Sequence, residues 1–325
     1  MESDRSILLA LSSKTCCVPP HSTFEAARSR PRKIELRGSS STCWFREHTI
    51  YEVNADPACA ANKHLAGTTH AIHRFSLHAN TAHNMNHALK QIALNRERSG
   101  TGVSRSNSGG WQSKADLFLE DAEDTDKAGD SSVERRVTRM LHEIASAGLD
   151  ASRAVAAATA TDEAALPAKH DAYAWININR VQDWNLMHVH DLSKMSGVYF
   201  VAAGGVKAAD SPAGHLVFRG GRATRDASHT YLALPPEPGT LYLFPGCLPH
   251  CVLPFGSAAA GALSSVKAAS PPRISVAINF TGETKPTNLC NGAQARAPEV
   301  PELEPFLPKL LAQFSVRGSE SCDRV

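Results

Sequence analysis

The chain has 325 residues, of which 42% are hydrophobic and 20% charged, and its formal net charge is +2. This composition predicts a globular protein with a core of its own, and it excludes collagen, coiled coils and a wholly disordered chain. No apolar run approaches the roughly 18–20 residues of a membrane helix. The sequence therefore predicts no membrane segment, the near-neutral charge disfavours nucleic acid as a partner, and the oligomeric state stays open.

The cysteine pattern bears on the cellular compartment. The chain has 8 cysteines, with no Cys-x-x-Cys pair and no clear secretory signal ahead of them, which favours a reducing compartment and no disulfide framework. The segment 1–37 is rich in serine and arginine, like an organellar transit peptide, but Glu2 and Asp4 argue against that role. We expect a cytoplasmic protein, with organellar targeting as the alternative.

The first half of the chain is predicted to be a tail followed by helices. Residues 1–74 show little periodicity and contain one proline pair, Pro19-Pro20, and serine runs, so we expect a disordered N-terminal extension. Apolar residues at helical spacing predict one helix over Leu77–Arg98 and another over Ser132–Ala147, which Gly148 should end. Both helices are expected to pack on the outside of the structure that follows.

The second half changes to the period of two that is typical of strands. Short segments rich in β-branched and aromatic residues are bounded by glycine, proline or aspartate. They are Tyr173–Asn179, Ser196–Ala203, His215–Arg219, Thr230–Leu234, Thr240–Phe244, His250–Leu253 and Ile274–Phe280. Strands this short and regular predict a mostly β sandwich, jelly roll or barrel with flanking helices, rather than alternating βαβ units.

Three histidines of this region are candidate metal ligands. In a strand, residues i and i+2 point to one face, so His188 and His190 can direct both imidazoles at one ion. His250 can join them from a distant strand, because a jelly roll brings such strands side by side. Three imidazoles would leave about three of six positions open on an octahedral Fe(II), as a bidentate co-substrate and dioxygen require.

A basic residue near the C-terminal end of this region is a candidate anion clamp. Arg273 begins an apolar strand, and Ser275 lies on the same face two positions later. A guanidinium and a hydroxyl in this arrangement can hold a carboxylate through charge-assisted hydrogen bonds. The order His-x-His, distal His, Arg-x-Ser therefore outlines a metal centre with a clamp for a keto acid.

At these residues the sequence resembles the 2-oxoglutarate- and Fe(II)-dependent oxygenases of the double-stranded β-helix superfamily. The resemblance runs from about residue 75 to 282 and is carried by motifs in the family's order. They are Ser106–Lys114 (SNSGGWQSK), Trp175–Asn179 (WININ), Asn185–His190 (NLMHVH), Ser196–Phe200 (SGVYF), Gly239–Pro245 (GTLYLFP), His250 and Arg273–Phe280 (RISVAINF).

The resemblance implies a double-stranded β-helix, or jelly roll, that binds Fe(II) and 2-oxoglutarate. The iron would be held by His188 and His250, and the distal carboxylate of 2-oxoglutarate by Arg273. Most of the superfamily has a carboxylate as third ligand, whereas here His190 stands in that slot and Asp191 follows it. We favour His190, because Asp191 could turn inward only if the strand ended or bulged there.

The implied reaction hydroxylates an unidentified substrate while 2-oxoglutarate is decarboxylated to succinate, with ascorbate as a plausible reductant by analogy. Tyr199 and Asn179 lie on strands flanking the ligands and are predicted to line the co-substrate pocket. We expect the catalytic domain over residues 75–285. Residues 286–325 are predicted to form a C-terminal segment with a short helix near Leu307–Phe314.

Two other functions fit parts of the pattern. A cupin-type metalloenzyme would share the His-x-His and the distal histidine, but its first motif needs a glutamate where Lys194 and Met195 stand. A jelly roll that serves only for binding would keep the same residues without catalysis.

His83 and His87, four residues apart on the first predicted helix, are interpreted as part of a polar helix face rather than as a second metal site.

Overall fold

The fold is described from a computed structural model of the chain. The described residues are 31–34, 43–54, 69–118, 131–159, 171–190, 193–206, 212–222, 229–256 and 270–282. The predicted C-terminal helix and Asp191 lie outside these residues. Neither helix within them has the length and apolarity that crossing a bilayer requires.

Thirteen strands and two helices make up the described chain, which is mostly β. The helices are α1 (Ala79–Ser99) and α2 (Ser131–Thr159). The strands are β1 (Arg32–Ile34), β2 (Phe45–Asn54), β3 (Thr69–Leu77), β4 (Asn107–Ser108), β5 (Trp111–Gln112), β6 (Asp171–Asn179), β7 (Trp184–His188), β8 (Met195–Ala203), β9 (Leu216–Arg222), β10 (His229–Leu234), β11 (Thr240–Pro245), β12 (His250–Val252) and β13 (Arg273–Thr281).

The strands form two antiparallel sheets. The major sheet has the order β1-β2-β3-β11-β8-β13-β6-β5, and the minor sheet has the order β10-β9-β12-β7-β4. One hydrophobic cluster takes residues from both sheets, so the sheets face each other. This architecture is the double-stranded β-helix, and each of the seven strands predicted from the sequence is present with small changes of its ends.

Alternation along β6 and β13 separates the helix-facing side of the major sheet from its concave side. On β13, Ile274, Val276 and Ile278 are fully buried in the cluster that also holds residues of both helices. The intervening residues from Arg273 to Asn279 point the other way, between the two sheets. Polar residues of these strands therefore face the inside of the jelly roll.

Helix α2 continues through the glycine that was expected to end it. A Cβ on Gly148 would lie 3.2 Å from side-chain atoms of both Leu241 and Leu243 on β11. Glycine therefore lets the helix axis approach the sheet closely, and the helix runs on to Thr159. The prediction of a helix end at Gly148 is wrong, because this glycine allows close packing against β11 and does not cap the helix.

Ordered structure also begins earlier than the sequence predicted. Strands β2 and β3 pair along nine positions, and β3 pairs with β11 in the middle of the major sheet. The expectation of a disordered extension up to residue 74 is therefore wrong for these segments. Two of their buried positions are occupied by His48 and His73, whose Nε2 and Nδ1 atoms lie 3.0 Å apart, and such polar residues hide the apolar pattern of the strands.

Candidate active site

The structure brings the three predicted histidines together. His188 at the end of β7 is the cross-strand partner of His250 at the start of β12, and their ring centroids lie 4.4 Å apart. The ring of His190 lies 5.0 Å from each of the other two. One ring nitrogen of each residue lies within 4.8 Å of the other two, and no other such group of ligands occurs in the described part of the chain.

The hydrogen bonds of these rings leave one nitrogen of each for a metal. His188 Nδ1 lies 2.7 Å from the Leu186 carbonyl oxygen, and His250 Nδ1 lies 2.9 Å from the carbonyl oxygen of Leu248. A carbonyl oxygen only accepts, so each Nδ1 carries the proton and each Nε2 keeps its lone pair. Metal-binding histidines in proteins have this arrangement, in which the second ring nitrogen donates to an oxygen.

Burial keeps these imidazoles neutral. Loss of solvation, together with the neighbouring His190, lowers the pKa of His188 to about 4. The pKa of His250 is lowered well below its ordinary value, again because of burial first and the two other histidines second. The neutral imidazole is the form that binds a metal ion, so the donor set fits Fe(II) at physiological pH.

The backbone position of His190 differs from the one predicted from the sequence, which placed it on one strand with His188. Strand β7 ends at His188, so the two residues are not on one strand, and the period of two does not explain their convergence. Instead, the His190 backbone N–H donates to the Gly246 carbonyl at 2.8 Å, and its Nδ1 lies 2.5 Å from Asn279 Oδ1 on β13. The preference for His190 over Asp191 as third ligand stays a prediction.

Arg273 is fully buried on the concave side of the major sheet. Its NH1 group donates to the Gly214 carbonyl at 2.8 Å and its NH2 group to Asn179 Oδ1 at 2.9 Å, while Nε has no hydrogen-bond partner. Within the described residues, no carboxylate forms an ion pair with it. Burial lowers the pKa of Arg273 to about 9, so the group is a cation at neutral pH and would be stabilised by an anion.

Two asparagines and the loop before β5 support this guanidinium. Asn179 is 1% exposed and, besides accepting from Arg273, donates through Nδ2 to Asn185 Oδ1 at 3.3 Å. Asn185 Nδ2 in turn lies 3.4 Å from Ser106 Oγ. Strand β4 pairs with β7 and strand β5 with β6. The motif 106–114 therefore bridges the two sheets beside the guanidinium.

Gly110 in this motif makes a close contact with the same asparagine. A Cβ at this position would lie 2.9 Å from Asn179 Nδ2 and 2.9 Å from the Ile178 carbonyl oxygen. Gly110→Ala should displace Asn179 and weaken 2-oxoglutarate binding by up to about 1.5–3 kcal/mol, the range for one hydrogen bond to a charged group. Calorimetric titration with 2-oxoglutarate checks this against Ser108→Ala in the same motif, and unchanged affinity in Gly110→Ala would contradict it.

Of the two remaining residues that were predicted to line the pocket, Ser275 lies on the concave side of the major sheet and Tyr199 does not. Ser275 is buried on the same strand face as Arg273. Tyr199 packs into the helix-facing core, where its hydroxyl donates to Asn86 Oδ1 of α1 at 2.7 Å. The expectation that Tyr199 lines the co-substrate pocket is therefore wrong, because alternation along β8 turns the residue toward the helices.

Sequence reasoning missed a group of residues around His190. Asn279 and Ser196 are buried beside its ring, and Trp175 packs on it with ring centroids 5.6 Å apart. All three lie inside motifs that carried the resemblance. The alternation of β6 and β13 could have placed Trp175 and Asn279 on the concave face with Arg273.

Five other described residues with side chains that can bind metals lie outside this histidine cluster. His83 and His87 are exposed on α1, in agreement with a polar helix face. Cys251 follows His250 on β12 and lies in a separate cluster on the outer side of the minor sheet. The buried pair of His48 and His73 stacks on the aromatic ring of Phe75.

Comparison with known proteins agrees with this geometry. Residues 173–265, which include all three histidines but not Arg273, match the model of the family described as "Putative 2OG-Fe(II) oxygenase". No curated protein matches the chain in sequence.

Solved structures to which the chain is similar include two prolyl hydroxylases and one oxidoreductase. A Pseudomonas putida prolyl-4-hydroxylase has a TM-score of 0.38 and 13% identity over 62% of this chain and 88% of that chain. A collagen prolyl hydroxylase of Paramecium Bursaria Chlorella virus-1, in complex with 2OG, has a TM-score of 0.33 and 11% identity over 60% and 88%. An oxidoreductase of the 2OG-Fe(II) oxygenase family from Burkholderia pseudomallei has a TM-score of 0.31 and 11% identity over 62% and 89%.

The fold and the site define a jelly roll in which three histidines form a candidate metal site and a fully buried guanidinium lies on the concave side of the major sheet. Residues 173–265 are further similar to a 2OG-Fe(II) oxygenase domain, a family whose cofactor is Fe(II) and whose co-substrate is 2-oxoglutarate.

Proposed function

We propose that this protein is a 2-oxoglutarate-dependent dioxygenase in which His188, His190 and His250 hold Fe(II) and Arg273 holds the distal carboxylate of 2-oxoglutarate. The observation that carries the proposal is the space between the two sheets, where three imidazoles of the described chain converge and which a fully buried guanidinium without an ion-paired carboxylate also faces. An unpaired buried charge is costly, so a site of this kind is expected to bind a ligand of opposite charge.

Fe(II) would supply the oxidising chemistry when bound, with dioxygen, 2-oxoglutarate and a C–H substrate giving succinate, carbon dioxide and the hydroxylated product. The protein positions the reactants and excludes water. Arg273 fixes one end of the co-substrate through charge-assisted hydrogen bonds. Asn179 holds the guanidinium in place from β6.

Apolar residues shield the metal side of the site. His250 is 3% exposed and packs edge-on against Phe244, with ring centroids 4.8 Å apart. Phe218 of β9 lies behind it, with centroids 6.1 Å apart. A dry wall of this kind strengthens electrostatic interactions inside the site and keeps water from side reactions.

Succinate formation tests the proposed function. The full chain, supplied with Fe(II), 2-oxoglutarate, dioxygen and ascorbate as reductant, should form succinate, which proton NMR measures directly. His188→Ala should form none. A cupin-type enzyme or a binding module would bind metal without consuming 2-oxoglutarate, and that outcome would contradict the proposal.

The third ligand has its own test. We expect His190→Ala to lose Fe(II) binding and Asp191→Ala to keep it, because His190 lies 5.0 Å from both other rings, measured between ring centroids. Metal content after dialysis against a limiting Fe(II) buffer measures the difference. Loss of iron in Asp191→Ala alone would assign the carboxylate as ligand.

A further inference from the structure

A row of three polar residues crosses the major sheet next to His190. Asn279 of β13 is the cross-strand partner of Ser196 on β8 and of Tyr173 on β6. Cross-strand partners present their side chains on the same face of a sheet. The three side chains therefore meet at one level of the concave face, with Asn279 in the middle.

Asn279 connects this row to the imidazole. Its Oδ1 lies 2.5 Å from His190 Nδ1 and accepts a hydrogen bond from Ser196 Oγ at 2.8 Å. Its Nδ2 donates to the Tyr173 hydroxyl at 2.8 Å. Ser196 Oγ is also 3.1 Å from His190 Nδ1. An amide oxygen has two lone pairs, so it can accept from both the imidazole and the serine.

Burial makes this orientation specific. Asn279 is 3% exposed and Ser196 is 0% exposed, so neither side chain can exchange its partners for bulk water. Rotation of the amide would turn its N–H groups toward Ser196 and His190, and the Ser196 hydroxyl would lose the acceptor for its proton. A buried polar group without its partner is costly, which fixes the proton on Nδ1 and the lone pair on Nε2.

The support of His190 differs in kind from that of the other two histidines. His188 and His250 each use the main-chain carbonyl two residues before them, at 2.7 and 2.9 Å. His190 lies beyond the end of β7 and uses a side chain of another strand instead. A substitution can remove a side-chain acceptor but not a carbonyl, so this ligand alone is sensitive to a second-site change of its acceptor.

We propose that Asn279 is the positioning residue of the metal centre, which holds His190 with Nε2 directed at the ion and is itself held by Ser196 and Tyr173. This inference rests on the proposed function, because it assigns His190 as a ligand. It adds a residue that contacts neither the metal nor the co-substrate and that acts through the ring it orients. Partners of this type affect metal affinity by about 10- to 100-fold.

Co(II) binding by the full chain, in the absence of 2-oxoglutarate, tests the inference through its ligand-field absorption. Asn279→Leu should weaken Co(II) binding by about 10- to 100-fold and change the absorption band, because His190 loses its acceptor. Asn279→Asp should keep affinity close to wild type, because a carboxylate accepts from the same donors. Asn177→Leu is the control, since it removes a buried asparagine of the neighbouring strand that has no hydrogen bond to the histidines.

The outcomes separate the inference from the function on which it rests. Wild-type affinity in Asn279→Leu, or an equal loss in Asn279→Asp and in Asn177→Leu, would overturn the positioning role. Absence of Co(II) binding by the wild-type chain would overturn both this role and the proposed metal centre. Should Asn279→Leu fail to fold, Ser196→Ala gives the same comparison, with weaker Co(II) binding expected and unchanged binding counting against the inference.

Discussion

His250→Ala should abolish Fe(II) binding and, with it, succinate formation. The substitution removes one of three neutral nitrogen ligands, and the remaining two cannot hold the ion in a facial arrangement. A ligand that binds only the folded state raises the free energy of unfolding by about 2.7 kcal/mol when its concentration is one hundred times its dissociation constant. Excess Fe(II) should therefore raise the unfolding midpoint of the wild-type chain under anaerobic conditions and leave that of His250→Ala unchanged.

A matched control for this prediction is His48→Ala. His48 is buried to the same degree, at 1% exposed against 3% for His250, but it lies on β2 and bonds to His73. The control should lose some stability and keep its response to Fe(II). An Fe(II)-dependent shift of the midpoint in His250→Ala would show that this residue is not a ligand.

Arg273→Met should nearly abolish 2-oxoglutarate binding while leaving the metal centre intact. Truncating one partner of a buried charge pair costs about 2 to 5 kcal/mol, or roughly 30- to 4,000-fold in affinity. The loss should be confined to the distal carboxylate. Therefore 2-oxobutyrate, a keto acid without that carboxylate, should bind wild type and Arg273→Met equally well, as titration of the Fe(II)-loaded protein would show.

The same substitution should not destabilise the protein without co-substrate. Burial outweighs the attraction of the Asp183 carboxylate and lowers the pKa of Arg273 to about 9, which means that the folded state disfavours the charge. Replacing such a charge with an apolar side chain of similar length removes the cost of burying it, and this gain offsets the loss of the hydrogen bonds to Gly214 and Asn179. We expect an unfolding midpoint at or above wild type for Arg273→Met, and a large decrease would show that the guanidinium serves the fold rather than the co-substrate.

The sequence predicted the strands of the second half well, because their alternation reflects burial on one side of each strand. Residues Ile274 to Phe280 alternate between the helix-facing core and the concave face, and this local pattern needs no knowledge of the fold. The path of α2 through Gly148 depends instead on its packing against Leu241 and Leu243. A long-range contact of this kind cannot be predicted from the residues next to Gly148 in the sequence.

Some residues of the candidate site could likewise be predicted from the sequence, and others depend on long-range contacts. The residue types at His188, His250 and Arg273 indicated a metal centre and an anion clamp, since few side chains can do that chemistry. The support of His190 could not be predicted from spacing, because β7 ends before it and the acceptor comes from Asn279 on another strand. Tyr199 was misplaced because its face of β8 depends on which side the helices cover.

Anaerobic titration with Fe(II) and 2-oxoglutarate measures most directly whether the three histidines and Arg273 form one site. A keto acid chelated to Fe(II) gives a weak visible charge-transfer band, and we expect this band in the wild-type chain. It should be absent in His250→Ala and should require far more 2-oxoglutarate in Arg273→Met. Iron binding without the band, or a band with wild-type 2-oxoglutarate dependence in Arg273→Met, would contradict the proposed site.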